Sequence, residues 1–154
     1  MIKNTLNYED IPALYTIERG CFLKDFRWSE SVFRREVVNS ARKNNLWVYT
    51  TKEGVIAGFL MAAEERGKGY IQSVDVSKEH RKKGIATELI LECEKAFKSR
   101  GINCMRLEVH VNNPAQTLYF KIGYRVKQVR RHYYKINEHA ITMEHVINTG
   151  ADVK

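Results

Sequence analysis

Hydrophobic positions along the chain switch between a spacing near 3.6 residues and a strict alternation, which separates helices from strands. Ile11, Leu14, Tyr15, Ile17, Cys21 and Phe22 recur at helical spacing, with Asp10 placed to cap and Pro12 in the first turn. Ser29 starts a second helix that carries Val32, Phe33, Glu36 and Val37. Strands follow at 46–51, 55–63 and 70–76, separated by turns at Gly54 and at Gly67/Gly69. Gly84 opens an amphipathic helix with Ile85, Leu89, Ile90, Cys93, Ala96 and Phe97 on one face and Gly101 just beyond its end. In the strand 103–111, Met105, Leu107, Val109 and Val111 point one way, and Cys104, Arg106, Glu108 and His110 the other. A short helix at 115–122 stops at Gly123, and strands at 124–133 and 140–147 flank a turn near Asn137. The expected fold is α/β, a mixed sheet with helices on both faces.

The chain has 154 residues, the length of one domain, so a single domain over 1–154 is expected, with a frayed tail at 149–154. Hydrophobic residues at 44% and charged residues at 29% exclude collagen-like, disordered and disulfide-scaffold classes. No apolar run approaches the roughly 18 residues of a membrane span, and no signal-peptide pattern opens the chain. A cytoplasmic protein without membrane association is the expectation. Cys21, Cys93 and Cys104 form no CxxC pair and lie near no paired histidines, which predicts no metal site. The net charge of +8 favours anionic partners without choosing among them.

The basic residues gather at a point suited to phosphate. The segment from Val74, Asp75 and Val76 to Gly84, Ile85 and Ala86 joins a strand to a helix. A helix start exposes unpaired N–H groups and the positive end of the helix dipole. Small residues at Gly84 and Ala86 admit an anion close to the backbone, and Arg81, Lys82 and Lys83 add charge. The spacing is neither a Walker loop nor GxGxxG. A solvated basic turn is the plainer alternative.

A second motif follows the strand at 103–111: Asn112-x-x-Ala115-x-x-Leu118-Tyr119-x-x-x-Gly123-Tyr124. Together with Arg81-Lys82-Lys83-Gly84-Ile85-Ala86 it resembles the two cofactor-binding stretches of the GNAT acetyltransferase superfamily. Phe26-Arg27-Trp28-Ser29-Glu30, Leu107-Glu108-Val109 and Arg130-Arg131-His132-Tyr133-Tyr134 are similar to the RimI-type N-terminal acetyltransferases. The resemblance covers residues 5–147. It implies a GNAT-type fold and acetyl-CoA as cosubstrate, with CoA released. It places the pyrophosphate at Arg81, Lys82, Lys83, Gly84, Ile85, Ala86 and Thr87, and the pantetheine along the backbone of Val74, Asp75 and Val76 and beside Asn112, Ala115 and Tyr119. It implies a protein or peptide N-terminus as the other substrate, met by Phe22, Leu23 and Trp28 on one side and by Tyr133 and Tyr134 on the other. Glu108 lies four positions before Asn112, one fewer than in the RimI-type pattern, so a bulge at the strand's end is expected.

The chemistry of the transfer sets the roles. An α-amine has a pKa of about 7.7–8.0 and lysine about 10.4, so freeing the α-amine near neutrality costs about 3 kcal/mol less. By the resemblance, Glu108 is the general base that takes the amine proton, directly or through a water, and Tyr119 the general acid at the leaving sulfur. Tyr70 is the alternative base, with His110 behind it. A glutamate merely paired to Arg106 is the plain alternative for Glu108. Arg125, Lys127, Arg130, Arg131 and Lys135 form a basic stretch that would suit ribosomal RNA or an acidic protein. A monomer is expected, with an auxiliary subunit left open, and no sequence-specific DNA binding. Two other functions stay in view: a GNAT enzyme acting on a small amine, polyamine or lysine side chain, and a non-catalytic basic module for RNA or ribosomes.

Overall fold

A computed structural model describes residues 1–21, 28–135 and 138–147, with the backbone alone at 132–135 and 138. It contains β1 (Ile2–Lys3), α1 (Ile11–Cys21), α2 (Glu30–Arg42), β2 (Leu46–Thr50), β3 (Ile56–Glu65), β4 (Lys68–Val76), α3 (Ile85–Ser99), β5 (Cys104–His110), α4 (Gln116–Ile122), β6 (Arg125–Lys135) and β7 (Glu138–Val146). Seven strands are hydrogen-bonded in the order β1-β2-β3-β4-β5-β7-β6. β4 and β5 are parallel, while β1–β2, β2–β3, β5–β7 and β6–β7 are antiparallel, so the sheet is mixed as expected. Among the described residues no helix is long and apolar enough to cross a membrane.

The chain divides into two compact units, Met1–Ala63 with Ser73–Cys93, and Glu64–Gln72 with Glu94–Lys154. In the first unit, Ile11, Leu14 and Ile17 of α1 and Phe33 and Val37 of α2 close over Leu46, Val48, Phe59 and Met61. Phe33 is the centre of that layer, with its ring 5.3 Å from Tyr15 and 5.8 Å from Phe59 between centroids. Ser29 caps α2, its hydroxyl accepting the Val32 N–H at 3.3 Å. Asp10 instead closes a short 3-10 turn, Tyr8–Asp10, that runs straight into α1.

β3 is buried from Ala57 to Ala62 on both of its faces. Phe59 and Met61 meet α1 and α2. Gly58, on the opposite face, lies so close to β4 and α3 that an added Cβ would stand 2.8 Å from the Asp75 carbonyl oxygen and 3.4 Å from Ile85. Helices therefore cover both faces of this strand.

In the second unit, Met105, Leu107 and Val109 of β5 point inward with Met143 of β7. Here one expected turn moves. Gly69 lies within β4 and is buried, since a Cβ there would fall 2.6 Å from the Phe97 ring and 2.7 Å from Met105 Cε. The turn is made by Arg66 and Gly67 alone, with φ of 52° and 79°. The bulge expected at the end of β5 is also absent from its pairing with β7, which runs without a shift from Cys104↔Val146 to His110↔Ala140.

Candidate active site

The outward face of β5 carries Arg106, Glu108 and His110, as alternation requires. Glu108 is held from two neighbouring strands. One carboxylate oxygen accepts Thr142 Oγ1 of β7 at 2.9 Å, and the other accepts Arg130 Nη1 of β6 at 2.7 Å. The Glu108 side chain is 8% exposed and that of Arg130 45%, so a buried carboxylate sits under a half-exposed cation. Arg106 does not pair with Glu108. Its Nε and Nη2 donate to Glu144 Oε2 at 3.0 and 2.7 Å, where Lys68 Nζ joins them at 3.0 Å. Burial raises the Glu144 carboxyl pKa, but the hydrogen bonds from Arg106 and Lys68 outweigh it and leave the group below its ordinary value. Burial and the adjacent Glu144 push the Cys104 thiol up.

Beyond β5 the chain turns on its own side chains. His110 Nδ1 accepts the Asn112 N–H at 3.0 Å, so this histidine braces the turn. Asn113 Oδ1 accepts the Ala115 N–H at 2.9 Å, and Gln116 Nε2 donates to the carbonyls of His110 and Val111. Asn112 is exposed and Ala115 half-buried ahead of α4. Tyr119 of α4 is buried, its ring 6.2 Å from that of Tyr124. α4 stops at Gly123, where φ is 130° and a Cβ would lie 2.5 Å from His145 Nε2. His145 Nδ1 and Tyr124 Oη each lie 2.8 Å from Oε2 of the buried Glu94. Tyr70 stands opposite Arg106 in the parallel register of β4 and β5.

The basic turn belongs to the first unit. Val74 is half-buried, and Asp75 and Val76 are buried at the end of β4. Ser77 N–H is tied to the Ala57 carbonyl at 2.8 Å, and a 3-10 turn spans Lys78–His80. Lys82 and Gly84 take φ of 63° and 81°, and α3 begins at Ile85. Gly84 accepts from Glu88 at 3.0 Å, so the N–H groups of Ile85, Ala86 and Thr87 precede the first helical bond. A Cβ built on Gly84 would meet nothing within 4 Å, so the side-chain position of this glycine opens on free space. Lys82 and Lys83 are exposed. Arg81 folds back instead, donating to the Val76 carbonyl at 3.1 Å and to Cys21 Sγ at 3.3 Å, which braces the turn. The free space at Gly84, the amides and the two exposed lysines fit a diphosphate.

Sequence reasoning passed over one group of residues. Ser73 Oγ lies 3.1 Å from Glu18 Oε2 and 3.0 Å from Asp75 Oδ2, and all three residues are buried. Burial, reinforced by the adjoining Glu18 carboxyl, raises the Asp75 pKa well above its ordinary value. The signal was present: Glu18 interrupts the apolar stripe of α1 between Leu14 and Cys21. Trp28 is half-buried, with its ring 6.1 Å from that of Phe33 and its carbonyl accepting Tyr15 Oη at 3.4 Å. Phe22 and Leu23 lie outside the described residues. So do the side chains of Tyr133 and Tyr134, whose backbone belongs to β6.

Residues 11–124 match the Acetyltransferase (GNAT) family. The chain belongs to that family. It is an acetyl-CoA-dependent N-acetyltransferase. An uncharacterized N-acetyltransferase of Methanocaldococcus jannaschii is 36% identical over 145 residues, spanning 93% of this chain and 90% of the relative. The ribosomal protein bS18-alanine N-acetyltransferase of Escherichia coli is 26% identical over 132 residues, 85% of each chain. The crystal structure of Ard1 from Thermoplasma volcanium shares the fold with a TM-score of 0.84 at 20% identity, covering 96% of this chain and 97% of that one.

Proposed function

We propose that this GNAT enzyme acetylates the free α-amine of a protein or peptide N-terminus, in the cytoplasm, with Glu108 as general base and Tyr119 as general acid. The observation that carries this reading is the setting of Glu108: an aimed carboxylate on β5, in the strand that leads through Asn112 and Ala115 to Tyr119. Lys82, Lys83 and the amides of Ile85, Ala86 and Thr87 would hold the diphosphate of the cosubstrate. By the family resemblance, the backbone of Val74, Asp75 and Val76 would meet its pantetheine. When bound, acetyl-CoA supplies the acetyl group as a thioester.

Glu108 accepts the proton that the α-nitrogen loses as its new bond to the acetyl carbon forms. Thr142 keeps the accepting carboxylate in place, and Arg130 shares the other oxygen. Tyr119 gives its phenolic proton to the sulfur as the carbon–sulfur bond breaks, and solvent returns both groups to their starting states. The α-amine needs only a modest base near neutrality, which suits a carboxylate.

The test is thiol release from acetyl-CoA with peptides varied at their first two positions. Glu108→Gln lowers kcat by about 100-fold, with the greatest loss at low pH, and Tyr119→Phe lowers it across the pH range, both within the usual span for general acid–base groups. Unchanged rates in both variants remove these roles.

A further inference from the structure

The hairpin joining β3 and β4 puts an arginine where its backbone conformation is costly. Arg66 and Gly67 both take positive φ, the two-residue turn that Asn-Gly makes most cheaply. The turn alone therefore does not account for an arginine. Arg66 is exposed, and among the described residues it has no ion-pair partner.

Beside it lies a cavity of about 620 Å³ lined by Glu65, Arg66, Lys68, Gly69, Tyr70 and Arg106. Glu144 anchors the heads of Lys68 and Arg106 on a single carboxylate oxygen. It is buried, while Lys68 and Arg106 are 41% and 42% exposed at their side chains. An ammonium has three donors and a guanidinium five, so both heads keep donors beyond those Glu144 uses. The three cations of the lining outnumber its carboxylate Glu65 and the Glu144 that pairs with Lys68 and Arg106 by one charge. One further carboxylate balances the site.

Arg106 and Glu108 share a face of β5 two residues apart, about 7 Å along the strand. An extended peptide advances about 3.3–3.6 Å per residue. A chain whose α-amine reaches Glu108 can therefore bring a side chain a few residues behind it to the cavity.

We propose that the cavity at Arg66, Lys68 and Arg106 receives the carboxylate of an aspartate or glutamate two to four residues behind the acceptor amine, making the enzyme selective for acidic N-terminal segments. This rests on the α-amine reading above. The test uses peptides identical at the first two positions, with Glu, Gln or Lys at the third and fourth. The Glu peptide is preferred over the Gln peptide by about tenfold in kcat/KM, carried by KM, a difference of about 1.4 kcal/mol. Arg66→Asn, which keeps a residue tolerant of the turn, shrinks that ratio to about twofold or less. Arg66→Glu moves the preference to the Lys peptide. Equal treatment of Glu and Gln peptides, or a preference that survives Arg66→Asn, overturns the proposal. Fluorescence anisotropy with peptides labelled at the C-terminus separates it from the parent reading. Arg66-dependent binding of the Glu peptide without acetylation of any peptide keeps the cavity's role and removes the α-amine reading. Binding without regard to charge removes the cavity's role.

Discussion

Two carboxyl groups with opposite surroundings set the chemistry at the scale of single residues. Glu108 accepts hydrogen bonds from Thr142 and Arg130, one on each carboxylate oxygen. Asp75 faces another carboxyl across a shared serine, in a place where water is excluded. Its raised pKa has a consequence for stability. Above about pH 3.9 an unfolded aspartate has released its proton while the folded one retains it, so stability falls as pH rises from there to the folded value and levels off beyond it. Below about pH 3.9 both states are protonated and the slope vanishes. Asp75→Asn, which needs no proton to be neutral, flattens the fall: the variant's thermal midpoint exceeds the parent's on the alkaline side. Parallel midpoint-versus-pH curves for the two proteins would contradict a proton held between Glu18 and Asp75. The pair was hard to foresee because the serine that links it, Ser73, stands 55 residues from Glu18. The partners of Glu108 were hidden for the same reason, since Arg130 and Thr142 reach it only through strand pairing across 22 and 34 residues.

Elements were far more legible than their partners. The two helices, three strands, helix, strand, helix and two strands follow from local periodicity, which the chain carries within each segment. β1 escaped because two residues have no period, and the 3-10 turns escaped for the same reason. Gly69 shows the opposite error. A glycine beside Gly67 resembles a turn, yet here it serves close packing inside β4. Gly69→Ala pushes a methyl into the Phe97 ring and Met105, and costs about 1–3 kcal/mol. Urea unfolding should show a lower midpoint with an unaltered m-value. A midpoint equal to the parent's would mean that Phe97 and Met105 yield without strain. The missing bulge in β5 has a local explanation too. The short spacing between Glu108 and Asn112 is absorbed by the turn that His110 and Gln116 hold together, so β5 stays in register to its last residue.

At the scale of the whole molecule, family membership accounts for the order of the parts, and charge gathers at two places on the chain. The net charge of +8 includes the exposed lysines before α3, and the cavity cations at Arg66, Lys68 and Arg106. The first group was legible because a helix start, a glycine and three cations are contiguous. The second was not, because it gathers residues from a hairpin and from a strand nearly 40 positions later. The central claim is that the acceptor is an α-amine. Incubation with acetyl-CoA and a peptide bearing both a free N-terminus and an internal lysine, followed by tandem mass spectrometry, locates the new acetyl group. The account predicts it on the α-nitrogen, with the lysine unmodified. Acetyl found on the lysine side chain alone would contradict it.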